Sequence, residues 1–112
     1  MLPRENRLVR KPDFEKVKEK GKKFQSNLFG LLVYSTGNQV SRFGFIISTK
    51  LSKRAVKRNR VKRILRDKVR LLLPKIKPGF DVVFLGKKAL LESNHEEMGQ
   101  EIKRLFKKSG LL

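Results

Sequence analysis

Cysteine and tryptophan are absent from this 112-residue chain, histidine and tyrosine occur once each, and Asp and Glu together number only ten. Each scarcity excludes something. Without cysteine there is no disulfide, no thiol nucleophile and no thiolate metal site, a composition that fits a reducing compartment. The single histidine, His95, stands at a predicted helix start, where capping or plain exposure is its expected role, and no Ser-His-Asp or Cys-His arrangement is supported. The acids are spread along the chain, and most are spaced as helix-surface partners for lysine, so the inward-facing carboxylates of a two-metal nuclease are not gathered. Asp81, just ahead of a predicted strand, is the least easily dismissed of them. No catalytic residue and no metal ligand is expected. Long apolar runs are missing as well. The longest, Leu28 to Tyr34, is interrupted by Gly30 and falls far short of a membrane span, and residues 1–7 contain no signal-peptide core. The expectation is a soluble, cytoplasmic protein.

What the chain has in abundance is positive charge. Twenty-nine Lys and Arg against ten acids give a formal charge of +19, the footprint of a polyanion binder. The charge is densest between Lys53 and Arg66, where eight of fourteen residues are Lys or Arg. Runs of this kind are usually disordered, but Val56, Val61, Ile64 and Leu65 recur here at spacings that predict a helix with one buried stripe. At about 100° per residue, Asn59, Arg63, Arg66 and Arg70 fall on one face, with Val61, Ile64, Leu65 and Leu72 roughly opposite and Lys68 breaking the apolar stripe. Lys53, Arg54, Lys57 and Arg58 crowd the helix start, where the dipole disfavours cations by a few tenths of a kcal/mol each. The conflict makes sense if phosphates dock there. The apolar stripe is aliphatic, without the aromatic anchors of a membrane-surface helix, so nucleic acid rather than lipid is the expected partner.

Around this helix the pattern predicts a compact α+β frame. Pro12 opens a short helix through Lys20 that Gly21 ends. Phe24 to Tyr34 reads as one strand or as two broken near Ser26-Asn27, and Gly37-Asn38 as a turn. Arg42 to Ser48 alternates Phe43, Phe45 and Ile47 on one side with Arg42, Gly44, Ile46 and Ser48 on the other, a small and partly polar face suited to lining a groove. The basic helix runs from Ser52, as N-cap, to about Leu73, before Pro74 and Pro78-Gly79. Phe80 to Leu85 is a further strand, and Gly86-Lys87-Lys88 is its basic end. Ser93-Asn-His-Glu96 reads as a capping box opening a last helix with Met98, Ile102, Leu105 and Phe106 inward and Gly110 as its stop. Length and the absence of a linker or repeat make residues 1–112 a single domain.

The segment Ala55-Val-Lys-Arg-Asn-Arg-Val-Lys-Arg-Ile-Leu-Arg-Asp67 closely resembles the RNR motif of the bacterial ribonuclease P protein subunit. Asn6-Arg7-Leu8, Asp13-Phe14 with Val17 and Gly21, Arg42-Phe43-Gly44 with Ser48 and Lys50, and the Asp81-Val-Val strand follow in that family's order, so the resemblance covers nearly the whole chain. It implies a small helix–sheet sandwich of about four strands, ribosomal-protein-like, in which the strand–helix–strand crossover around the RNR helix is left-handed. General rules favour the right-handed form. It further implies a partnership with a large catalytic RNA that, with Mg²⁺ acting through that RNA, removes the 5′ leader of precursor tRNA. No obligate protein partner follows from it.

Carried onto this sequence, Lys53, Lys57, Arg58, Asn59, Arg60, Lys62, Arg63 and Arg66 would face the catalytic RNA. Phe14, Lys18, Arg42, Ser48, Lys50 and Lys87 would lie at or near a leader groove. Lys18 departs from the family, which often has a second aromatic there, and would trade base stacking for a phosphate contact. Two other readings stay open on the residues alone: a ribosomal or other structural RNA-binding protein, and a DNA-binding protein that places the basic helix in the major groove. The preponderance of phosphate-seeking cations over base-reading amides weighs against the latter.

Overall fold

The computed structural model describes residues 2–112; Met1, part of the N-terminal segment considered above, lies outside them. A 3-10 turn at Arg4–Asn6 precedes helix α1 (Lys11–Lys20), the hairpin strands β1 (Lys22–Gln25) and β2 (Phe29–Ser35), and strand β3 (Arg42–Ile46). Then follow the long helix α2 (Ala55–Leu72), strand β4 (Phe80–Gly86), the one-turn helix α3 (Lys88–Leu91) and helix α4 (His95–Ser109). The hairpin closes at Ser26, whose Oγ accepts from Leu28 N at 2.9 Å. The sheet order is β1-β2-β4-β3, antiparallel except for the parallel β3/β4 pair that α2 connects.

Alternation along the strands gives the sheet two different faces. Phe43, Phe45, Val82 and Phe84 join Val61, Ile64, Leu65 and Val69 of α2 and Met98, Ile102, Leu105 and Phe106 of α4 in the main core. Phe84 is its hub, with ring centroids 5.0 Å from Phe29, 4.9 Å from Phe45 and 5.9 Å from Phe106. The opposite face carries a much smaller cluster in which Val17 of α1 is buried with Leu8, Leu32 and Val83.

The sense of the β3–α2–β4 crossover follows from one hydrogen bond. The Phe43 carbonyl accepts from Leu8 N at 2.9 Å, so the polar groups of Phe43 point away from β4, while its ring stacks on Phe106 in the α2 face. Viewed from N to C with the side chain up, an L-residue in a strand directs its N–H and C=O to the right. Residues 7 and 8 therefore lie to the right of β3 and β4 to its left, with α2 above. This crossover is left-handed, as the resemblance implied and against the general rule. The N-terminal arm, paired in parallel at Arg7 and Phe43, covers an edge that β3 would otherwise expose.

Several local expectations are corrected. Helix α2 starts at Ala55 with Arg54 as N-cap and no side-chain cap, because the Ser52 hydroxyl is spent accepting from Arg54 N, at 3.2 Å, in the turn ahead of it. Val56 is 82% exposed and does not join the buried stripe, since it precedes the point where the helix meets the sheet; Val69 completes the stripe instead. The Lys68 stem does not break it, lying across Gly99 of α4, where an added Cβ would meet Lys68 Cδ at 3.5 Å. The capping box of α4 is one residue later than expected, with Asn94 and Glu97 exchanging bonds of 2.8 and 3.2 Å. Ser93 Oγ instead donates to the Leu90 carbonyl at 2.7 Å and closes α3, a turn too short for periodicity to disclose.

Candidate nucleic-acid interface

On α2 the buried stripe fixes where every cation goes. Asn59, Arg60, Arg63 and Arg70 are exposed on the outer surface, and Arg58, Lys62 and Arg66 are half-buried along the flank beside the sheet edge. Arg66 is held with its guanidinium carbon 5.8 Å from the centre of the Phe45 ring. Arg58 folds back at the helix start, donating to the Ser52 carbonyl at 2.7 Å. Lys57 turns to the other flank and donates to Glu92 at 3.1 Å, a largely exposed ion pair of the kind that contributes at most about 1 kcal/mol and yields readily to a phosphate. Lys53 and Arg54 are exposed just ahead of the first turn, which holds no acid. The start of α2 therefore offers unpaired backbone N–H groups and a collar of cations to any anion that approaches.

The second surface lies on the opposite face of the sheet. Phe14 of α1 sits directly over Gly44 of β3, so closely that a Cβ there would collide with the ring. Glycine is what lets the helix approach the sheet at this point. Phe14 is half-buried against the smaller cluster, and Ile46 and Leu85 of the same cluster remain partly exposed. Lys18, exposed one helical turn after Phe14, continues the same edge of α1. Ser48 is half-buried where the chain leaves β3, its Oγ accepting from Lys50 N at 3.0 Å, while the Lys50 side chain is exposed.

Two of the cations nominated for the groove, Arg42 and Lys87, have structural partners. Arg42 clasps Asp81 with Nε at 2.9 Å and a terminal nitrogen at 2.6 Å, and reaches Asp13 of α1 at 3.4 Å. These bonds tie β3 to β4 and α1 and account for Asp81, which is only 4% exposed. The Asp81 hydrogen bonds outweigh the opposing effect of burial and hold the Arg42 guanidinium above its ordinary range, so it stays charged wherever the protein folds. Two of its five N–H groups remain for another acceptor. Lys87 donates to the Ser26 carbonyl at 2.6 Å and pins the β1–β2 turn to the end of β4. Sequence reasoning missed Arg7, which meets Arg63, Arg66 and Asp67 in a recess at the sheet edge. The Asn6-Arg7-Leu8 match was its only signal.

A family model described as Ribonuclease P matches residues 2–110. The chain belongs to the ribonuclease P protein family. It is similar to the ribonuclease P protein component of a Pseudanabaena species, 36% identical over 113 residues that span 100% of this chain and 97% of that one. The Synechocystis ribonuclease P protein component is 38% identical over 112 residues, 99% and 90% of the two chains. The solved ribonuclease P protein of Thermotoga maritima superposes with a TM-score of 0.83 at 29% identity, covering 91% of this chain and 96% of that one. The Staphylococcus aureus RNase P protein gives a TM-score of 0.86 at 20% identity over 95% and 96%, a likeness of fold. As a family member this protein is the accessory subunit of an RNA-based endoribonuclease in tRNA processing.

Proposed function

We propose that residues 1–112 act in the cytoplasm as one RNA-binding domain that uses two faces at once. The α2 surface, with Lys53, Lys57, Arg58, Asn59, Arg60, Lys62, Arg63 and Arg66, docks on the catalytic RNA. The groove between α1 and the open half of the sheet receives the single-stranded 5′ leader of precursor tRNA, with Phe14 offering a face to a base and Lys18 and Lys50 offering charge to phosphates. Arg42, Ser48 and Lys87 shape that groove, Arg42 with two N–H groups to spare. The observation that supports this reading is the placement of an exposed cationic helix surface and of a half-buried Phe14 beside partly exposed Ile46 and Leu85 on opposite faces of one four-stranded sheet.

The chain's contribution is binding and charge neutralisation. A formal charge of +19 lowers the repulsion between two RNA molecules that must meet, and so lowers the Mg²⁺ that their meeting requires. Mg²⁺ acts through the RNA on this reading, because that hard cation favours oxygen donors and commonly binds phosphates. Among the described residues no helix is long and apolar enough to cross a membrane.

The test is cleavage of precursor tRNA by nuclease-free protein, alone and with the cognate large RNA at low Mg²⁺. The expected result is 5′ maturation only when the RNA is present. Robust metal-dependent cleavage by the protein alone would overturn the assignment of chemistry to the RNA.

A further inference from the structure

The basic surface of α2 does not stop at the helix. Arg7, on the arm that covers β3, shares with Arg63, Arg66 and Asp67 the lining of a recess of about 180 Å³. Three guanidiniums against one carboxylate leave two net positive charges in a concave site. Cations gathered from two separate elements repel one another, and a single carboxylate in the lining offsets only part of that repulsion.

Two of the three are also fixed in place before any ligand arrives. Arg7 Nε donates to the Leu2 carbonyl at 2.8 Å, which leaves its two terminal nitrogens for another acceptor. Arg66 lies over Phe45, a contact that orients the guanidinium plane without consuming its N–H groups. A planar fork of this kind matches a pair of phosphate oxygens. The recess stands at the sheet edge, beside the outer face of α2 and at the root of the arm that leads through Val9 and Arg10 into α1. It therefore lies between the two RNA surfaces described above.

We infer that this recess binds a backbone phosphate of RNA, and that Arg7 is a binding residue acting together with Arg63 and Arg66. The inference rests on the RNA-docking reading of α2 and extends it to the N-terminal arm. Its test uses the full chain with Arg7→Ala, Arg7→Lys, Arg63→Ala, the double variant Arg7→Ala/Arg63→Ala, and the exposed arm control Arg10→Ala. Affinity is measured over a range of salt for the catalytic RNA, and for precursor and mature tRNA with the assembled holoenzyme.

Arg7→Ala should weaken one of these by about tenfold or more and flatten its log–log salt slope by about 1. Arg7→Lys should not restore it, because an ammonium cannot supply the fork. The double variant should lose less than the product of the single losses. A loss toward catalytic RNA assigns the phosphate to that molecule, and a loss confined to precursor tRNA assigns it to the leader. If Arg7→Ala unfolds, Arg7→Lys and Arg66→Lys, which keep charge and stem, are read in its place and should both weaken binding. Unchanged affinity, full rescue by lysine, multiplicative losses, or an equal loss in Arg10→Ala would each overturn the recess. Failure of Asn59→Ala and Arg60→Ala to weaken assembly as well would instead remove the docking role of α2 itself.

Discussion

The two faces of the sheet bury very different amounts of apolar surface. On one, Phe43, Phe45, Val82 and Phe84 meet α2 and α4 in a continuous core; on the other, four residues are covered and Phe14, Tyr34, Ile46 and Leu85 stay partly open. The difference separates two ways of making a binding surface. Where the core is thick, the outer side of the helix is left out of the packing, and residues such as Asn59, Arg60 and Arg63 are exposed. Where the core is thin, Phe14 is both a packing residue and a proposed contact, so a change there touches stability as well as binding.

Phenylalanine on the thick face gives the largest expected effect. Phe84→Ala removes the hub of the aromatic cluster and should cost about 3–5 kcal/mol. Chemical denaturation would show it, and both RNA interactions should disappear together. Next comes Gly44→Val, whose Cβ collides with the Phe14 ring and forces α1 off the sheet at about 1–3 kcal/mol. If the faces are independent, holoenzyme affinity for precursor tRNA should fall while affinity for the catalytic RNA survives. Loss of both in a protein that remains folded would show that the faces are coupled.

The α2 surface should behave in the opposite way. Asn59→Ala, Arg60→Ala and Arg63→Ala should each weaken assembly with the catalytic RNA by about 1.5 kcal/mol. Their stabilities should stay within about 0.5 kcal/mol of the parent. Equal losses of stability and affinity would break the contrast between the faces. The smallest effects belong to the groove edge. Phe14→Ala should cost on the order of 1 kcal/mol in affinity for leader-bearing substrate and little for mature tRNA. Lys18→Ala should cost less and flatten the salt dependence, whereas Lys18→Phe should exchange salt sensitivity for stacking. Titrations with leaders of zero to about eight nucleotides at two salt concentrations read all three, and equal losses for mature and precursor tRNA would place both residues outside the groove.

Much of the architecture was legible because it depends on local pattern. The i, i+4, i+7, i+8 stripe of α4, the alternation of β3 and the break at Ser26-Asn27 are each set within a dozen residues. The errors also have local causes. Ser52 and Ser93 have the chemistry of helix caps, but in each case the hydroxyl bonds a neighbouring backbone group outside the cap position, at Arg54 N and at the Leu90 carbonyl. Val56 has the spacing of a stripe residue yet precedes the point where the helix reaches its sheet.

The sequence by itself determined a basic, cysteine-free α+β chain whose charge is concentrated on one amphipathic helix, and its motifs identified the family. Periodicity settles which side of an element is apolar, because that depends only on residues a few positions apart. Tertiary structure alone decided which elements became neighbours. It set the left-handed path from β3 to β4, laid Phe14 on Gly44, locked Arg42 between Asp13 and Asp81, and brought Arg7 to Arg63 across more than fifty residues of chain. These juxtapositions depend on how the two faces of the sheet are covered, and no window of local sequence contains that information.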